Sequence, residues 1–192
     1  MNNEMNAIIN TMIQLCGSNT SDNVTYRQIE EQLEKKEGYV FMYFDHKADL
    51  ISACVEAVAD NMVEEMAAAL SGSGSVITRF LKSDNIMKAA IALISRLQSG
   101  ADRNLEEASY ITANRTEAYK KLASSLASFI NDGNAQGIFN TTNPQEKGAL
   151  IAFGLLGLRS CCNNEMKKRA AFYSSMESIL GTDLKTYLKI AA

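Results

Sequence analysis

The residues with the most reactive side chains in this sequence are a single histidine and four cysteines. His46 stands near Asp45 and Asp49, but one imidazole beside two carboxylates lacks the remaining ligands that a zinc site needs. A Ser-His-Asp triad elsewhere in the chain is excluded because it needs a second histidine. We therefore predict neither a metal site nor a catalytic site.

The glycine-containing segments do not form a recognisable phosphate-binding loop. The chain has neither a G-x-G-x-x-G nor a G-x-x-x-x-G-K-[ST] pattern, and the Ser-Gly-Ser-Gly-Ser tract at 71–75 follows a helical pattern instead of a strand. Its composition is typical of a linker. We accordingly predict no enzyme and no cofactor.

Two short runs of reactive or charged residues each have two interpretations. Cys16, Cys54, Cys161 and Cys162 lack the C-x-x-C spacing of a zinc or disulfide framework. The adjacent Cys161 and Cys162 are interpreted as small buried hydrophobes, with a redox sensor as the alternative. The basic run 167–169 is interpreted as a solvated helix face, with a nucleic-acid patch as the alternative.

Composition favours an all-α fold in the cytoplasm. The 192 residues are 46% hydrophobic and include one proline, and many of them are Ala, Leu, Ile, Met, Glu and Lys, which favour helix. The N-terminus lacks the basic and apolar regions of an export signal. The longest apolar run, 148–158, is well short of the roughly 20 residues that span a bilayer, so no membrane contact is predicted.

Apolar spacing and capping signals divide the chain into helices. Thr25 with Gln28 three residues later predicts a capping box, and Asn143-Pro144 predicts another helix start. Three short helices within the first 45 residues form the helix-turn-helix arrangement. The predicted helices cover about 3–16, 25–33, 37–44, 47–70, 84–97, 115–136, 143–162 and 164–180.

Residues 25–51, with the sequence TYRQIEEQLEKKEGYVFMYFDHKADLI, resemble the signature of the TetR family of transcriptional regulators. Segment 131–139 is also similar to the family's usual sequence before its last two helices. The matching positions are Arg27, Ile29, Gly38, Phe44, Lys47 and Leu50, with Val40 and Phe41 as near-equivalents.

The resemblance implies an all-α fold with two domains. Residues 1–47 would form a three-helix DNA-binding domain, and residues 48–192 a helical effector-binding and dimerisation domain. The family forms symmetric homodimers, which places helices 143–162 and 164–180 at the interface. Gly154 and Gly157 would allow the helices to approach closely there.

The resemblance also implies contacts with a double-stranded DNA operator. Thr25 and Lys47 match residues that clamp phosphates, and Tyr43 stands at a phosphate-facing position. Tyr39 and Met42 would face the major groove. Lys35 and Lys36 precede the recognition helix and would contact backbone or base edges.

A pocket for a small, largely apolar effector is the third implication of the resemblance. The methionines in this set are equally interpreted as core filler, since they recur at helical spacing. The candidate wall residues are Met62, Met66, Met87, Ile91, Ile94, Tyr110, Tyr119, Leu122, Leu126 and Phe153.

Three positions depart from the family pattern, and all lie in the N-terminal segment. Glu34 replaces the usual glycine of the turn, Glu30 replaces a small residue, and Phe41 replaces a tyrosine. Residues 1–47 carry four basic and seven acidic side chains, whereas DNA affinity depends on neutralising phosphates. We call residues 1–47 the head. We therefore consider two hypotheses: the chain is a ligand-responsive repressor, or it is a TetR-fold protein whose acidic head has lost or weakened DNA binding and instead contacts another protein or a ligand.

Overall fold

The computed structural model describes residues 3–99, 113–161 and 164–184, and every regular element in these ranges is helical. Within the same ranges no helix has the length and apolarity to cross a membrane. Two 3₁₀ turns occur in the N-terminal part, at Ser21–Asn23 and Val40–Met42. The α-helices are α1 (Asn3–Leu15), α2 (Tyr26–Gln32), α3 (Lys47–Ser71), α4 (Val76–Leu97), α5 (Ala113–Ala135), α6 (Pro144–Cys161) and α7 (Glu165–Leu180).

The chain divides into two compact units. The first comprises Met1–Ala59 and Ala90–Ala108, and the second comprises Asp60–Ala89 and Ser109–Ala192. In the first unit Ile8, Met12, Ile29 and Leu50 are fully buried. In the second unit the core contains Met66, Tyr119, Leu122, Phe129 and Ile130, and α6 packs against both α5 and α7.

Helix α2 starts as its sequence predicts. The backbone N–H of Gln28 donates to the Thr25 hydroxyl at 3.3 Å, and the Thr25 N–H donates to the Gln28 side-chain oxygen at 2.8 Å. This reciprocal pair is a capping box and satisfies two N–H groups that a helix start leaves without intrahelical partners. Residues 25–28 therefore fix where the helix begins.

The helix expected over 37–44 is instead a turn followed by the 3₁₀ turn Val40–Met42, so that prediction was wrong in type. Gly38 has a φ of +88°, which lies outside the helical region. Beyond it the bonds from Met42 N–H to the Tyr39 carbonyl and from Tyr43 N–H to the Val40 carbonyl span three residues each, as in a 3₁₀ helix. We call Val40–Met42 the 40–42 turn.

Helix α4 begins eight residues earlier than predicted. The Ser75 hydroxyl accepts the Thr78 N–H at 3.1 Å and so acts as a cap, which makes the end of the Gly-Ser tract a helix start. The predicted start at Asp84 was wrong because Asp84 lies inside α4, where its side chain is 1% exposed. The tract connects α3 directly to α4.

Close approach between α5 and α6 depends on Gly148. A Cβ atom at this position would lie 2.6 Å from the Ala123 carbonyl oxygen and 2.8 Å from the Ala127 nitrogen. Both neighbours are backbone atoms, so a side chain here would force the helices apart. Gly148 thereby sets the packing of the helix that carries the exposed apolar face described below.

Candidate nucleic-acid interface

The residues predicted to contact DNA lie between Thr25, which caps α2, and Lys47, which begins α3. Thr25, Lys35, Lys36 and Met42 are exposed, whereas Tyr39, Tyr43 and Lys47 are half-buried. All seven belong to the first compact unit. Every one of these side chains therefore retains some accessible surface within its unit.

Lys47, the first residue of α3, lies against the segment that precedes α2. Its ammonium group donates a hydrogen bond to the Val24 carbonyl at 2.7 Å. Val24 directly precedes Thr25, so this bond brings the two residues predicted to clamp phosphates to one place. A lysine ammonium carries three N–H donors, and one bond to Val24 leaves two for an anion.

Two tyrosines flank the 40–42 turn and form an aromatic cluster. The rings of Tyr39 and Tyr43 lie 5.3 Å apart, and the ammonium of Lys35 lies 4.9 Å from the centre of the Tyr39 ring. The Tyr43 hydroxyl donates to the carboxylate of Glu4. This hydrogen bond, together with a weaker contribution from Tyr39, raises the pKa of Tyr43. The hydroxyl that the resemblance predicts to contact a phosphate is thus hydrogen-bonded to a carboxylate.

Two large apolar side chains of the 40–42 turn project into solvent. Phe41 is 59% exposed and Met42 is 75% exposed, although the Phe41 ring also meets Tyr26 edge-on at 4.8 Å. Exposed apolar surface of this kind suits contact with thymine methyl groups or with an apolar partner surface.

Glu34 and Glu30, the two glutamates that differ from the family pattern, each have a distinctive local environment. Glu34 has a φ of +55°, the left-handed conformation that the family glycine would adopt without strain. Glu30 is 3% exposed, and its carboxylate accepts the Val40 N–H at 3.0 Å. Sequence reasoning missed this bond, because a buried glutamate ten residues before its partner gives no local pattern.

The candidate effector residues fall into both compact units. Tyr110 lies outside the described residues. Phe153 is 41% exposed and stacks on Tyr119 with ring centres 6.5 Å apart. The remaining eight are buried: Ile91 and Ile94 in the first unit, and Met62, Met66, Met87, Tyr119, Leu122 and Leu126 in the second.

The outer face of α6 and α7 is apolar and open. Leu150 is 60% exposed, and Met166 is 64% exposed. A Cβ atom at Gly154 or Gly157 would meet nothing within 4 Å. A groove of about 310 Å³ runs along this face, lined by Leu150, Ile151, Gly154, Gly157, Leu158, Phe172 and Ser175. We call it the α6–α7 groove.

The histidine, the cysteines and the basic run 167–169 are the other residues that the sequence singled out. His46 is exposed, and no group of three potential metal ligands occurs among the described residues. Burial raises the pKa of the Cys16 and Cys54 thiols. Arg169 departs from the predicted solvated face, since its guanidinium pairs with the buried Asp84 at 2.6 Å. The side chains of Cys161 and Cys162 lie outside the described residues.

Comparison with known proteins identifies the fold. Neither a protein-family model nor a curated protein matches this chain. A transcriptional regulator from Cytophaga hutchinsonii superposes with a TM-score of 0.53 at 15% identity, covering 98% of each chain. The chain has the fold of that regulator. The predicted all-α regulator fold is therefore confirmed, and at this identity the likeness shows the fold alone.

Two further solved structures resemble this regulator fold at lower scores. Salmonella enterica GusR matches with a TM-score of 0.45 at 18% identity, covering 92% of this chain and 95% of its own. A regulatory protein in the tetR family from Rhodococcus matches with a TM-score of 0.41 at 12% identity, covering 93% and 98%.

Proposed function

We propose that the chain is a homodimeric transcriptional regulator that binds a palindromic DNA operator and releases it when a small, largely apolar effector binds. The observation that supports this proposal best is the hydrogen bond from Lys47 to the carbonyl of Val24, the residue before Thr25, in a chain with a regulator fold. DNA contact is assigned to residues 1–47, and effector binding and dimerisation are assigned to residues 48–192. The protein would act in the cytoplasm, as a repressor.

In this proposal, phosphate and base contacts come from different side chains. Lys47 and Thr25 hold the backbone and set the register of the head on the duplex. Tyr39 and Met42 meet base edges in the major groove, and the exposed ammonium groups of Lys35 and Lys36 add contacts with phosphates or guanine. Tyr43 joins the phosphate contacts once a phosphate displaces the Glu4 carboxylate.

The α6–α7 groove is assigned to the homodimer interface, over helices 143–162 and 164–180. The groove is lined mostly by apolar residues, among them the exposed Leu150, and such surface is favourable to bury. Open space at Gly154 and Gly157 leaves room for an opposing helix. A symmetric dimer would present two heads to two half-sites spaced by about one helical turn or a multiple of it.

Effector control follows from two dimer states. The effector favours a dimer state in which the two DNA-binding segments are spaced so that they no longer fit the operator. Because the two binding events are linked, the factor by which the effector weakens DNA binding equals the factor by which DNA weakens effector binding. The pocket walls are assigned to the candidate residues that lie in the second compact unit: Met62, Met66, Met87, Tyr119, Leu122, Leu126 and Phe153.

Lys47→Ala is expected to weaken binding to operator and scrambled DNA by a similar factor. The variant removes one phosphate contact from each head, so the slope of log affinity against log salt should become shallower by about 2 per dimer. Tyr39→Ala should mainly reduce the preference for operator over scrambled DNA. Fluorescence anisotropy at several salt concentrations measures both quantities.

The matched control for this measurement is Lys120→Ala, which removes an exposed lysine on α5. Thermal unfolding of each variant separates a lost phosphate contact from a damaged head, because Lys47 also donates to Val24. An unchanged affinity and salt slope for Lys47→Ala would exclude Lys47 as a phosphate contact.

A second candidate function is favoured by the composition of the head. Its seven acidic and four basic side chains repel phosphates, and Phe41 and Met42 offer apolar surface. In that case the chain keeps the regulator fold but meets another protein or a ligand through this surface. Absence of DNA binding even at low salt distinguishes this function from the first.

A further inference from the structure

Glu30 is a charged residue in a position that normally excludes charge. It lies on α2 with 3% of its surface exposed, and its carboxylate accepts the Val40 N–H at 3.0 Å. Its own carbonyl accepts the Lys35 N–H at 2.8 Å. Burial of a carboxylate is unfavourable unless hydrogen bonds replace those that it makes to water. The hydrogen bond from the Val40 N–H therefore stabilises Glu30 in its buried position.

The 40–42 turn needs an acceptor from outside its own sequence. Residues 35–39 are Lys, Lys, Glu, Gly and Tyr, and Tyr39 at the N-cap position makes no side-chain cap. Serine, threonine, aspartate and asparagine, which usually satisfy the first N–H groups of a helical turn, are absent there. Since Val40 is fully buried, water cannot replace the missing cap. The Glu30 carboxylate supplies it across ten residues of chain.

We propose that Glu30 is a positioning residue for DNA recognition, holding the 40–42 turn against α2 so that Tyr39 and Met42 reach the bases in one orientation. This inference rests on the proposed function. Glu30 does not itself touch DNA, because its carboxylate faces inward. A glutamate at a position where the family has a small residue thereby supports recognition, although its charge has the unfavourable sign.

Two alanine substitutions on the same helix separate positioning from electrostatics. Glu30→Ala and Glu31→Ala each remove one negative charge from α2, but the Glu31 side chain is 62% exposed and pairs with Arg27. Electrostatics alone would strengthen DNA binding in both variants. Positioning instead predicts that Glu30→Ala lowers operator affinity by about tenfold or more, the effect of losing a hydrogen bond to a charged group. Affinity for scrambled DNA should stay level or rise.

Conservative variants test the same bond with less damage to the fold. Glu30→Gln keeps an oxygen that accepts the Val40 N–H, so its operator preference should match the wild type. Glu30→Asp keeps the charge but shortens the side chain by one methylene, so its preference should fall. Glu30→Asp also provides the loss-of-contact variant if Glu30→Ala does not fold.

The protein of the printed sequence is titrated with the DNA sequence that it selects from a random pool, and with a scrambled version. Loss of operator preference in Glu30→Ala and Glu30→Asp, with recovery in Glu30→Gln, supports the inference. Equal behaviour of Glu30→Ala and Glu31→Ala, or full preference in Glu30→Asp, overturns it while leaving DNA binding intact. A wild-type protein that selects no sequence refutes the proposed function itself, and this inference with it.

Discussion

Asp84→Ala is expected to lower the free energy of unfolding by about 3–5 kcal/mol, because it leaves a charged partner without its counter-ion in the second compact unit. The Asp84 carboxylate is 1% exposed and accepts hydrogen bonds from the Arg169 guanidinium at 2.6 Å and the Tyr173 hydroxyl at 2.7 Å. Lys88 pairs with its other oxygen at 2.8 Å. These contacts join α4 to α7. Urea unfolding at a fixed protein concentration measures the change.

Lys88→Ala is the matched control, since it removes a 54% exposed partner and should change the free energy of unfolding by less than about 1 kcal/mol. Acid titration gives a second check. Burial acts to raise the pKa of Asp84, but the bonds from Lys88, Arg169 and Tyr173 outweigh it and lower the pKa. The stabilisation is therefore complete above about pH 4 and is lost as pH falls towards the lowered pKa. Asp84→Asn should show no such loss, and equal stability of Asp84→Ala and wild type at neutral pH would contradict the account.

Leu150→Asp is expected to raise the dissociation constant of the proposed homodimer by about 100-fold or more. Leu150 is 60% exposed in the single chain and lines the α6–α7 groove. A symmetric interface buries it twice, and each buried leucine contributes about 1.5–3 kcal/mol, so the two sites together account for at least two decades. Sedimentation equilibrium measures the dissociation constant directly.

Ser128→Asp is the control for the added charge, because Ser128 is an exposed residue of α5 outside the groove. Gly157→Ala tests the same face without a charge. Its Cβ would meet no atom of the described residues within 4 Å, so the protomer should fold normally and gain helix propensity, while a closely packed partner helix should be displaced. Unaltered dimerisation in both Leu150→Asp and Gly157→Ala would place the interface elsewhere.

Local signals in the sequence were sufficient where the structure depends on neighbouring residues. Thr25 and Gln28 predicted the start of α2 through a three-residue capping box. The helix predicted over 164–180 agrees with α7, which Asn164 caps by accepting the Lys167 N–H at 2.9 Å and which ends at Gly181 with a φ of +64°. Each of these features is decided within one helical turn.

Contacts between distant residues could not be predicted in the same way. The Asp84–Arg169 pair joins residues 85 positions apart, and sequence reasoning assigned Asp84 to a helix start and Arg169 to a solvated face. The Glu30–Val40 bond was missed because it depends on how α2 and the 40–42 turn fold back on each other. Periodicity gave a helix over 37–44, but it did not register the effect of a left-handed Gly38.

The acidity of the head has a different meaning once these contacts are known. The Glu30 carboxylate faces inward onto Val40, and the Glu4 carboxylate accepts the Tyr43 hydroxyl. Two of the seven acidic side chains thus accept hydrogen bonds from residues 40–43. A count of charges over residues 1–47 treats them as equivalent, whereas their distance from an approaching phosphate decides their effect.

Titration of the purified protein with DNA from upstream of its own gene shows whether residues 1–47 bind an operator. Fluorescence anisotropy at low and at physiological salt compares this DNA with a scrambled sequence of equal length. We expect tighter binding to the upstream DNA, with an affinity that falls as salt rises because phosphate contacts release counter-ions. No binding to either DNA at low salt would contradict it and would assign the head to a protein or ligand partner.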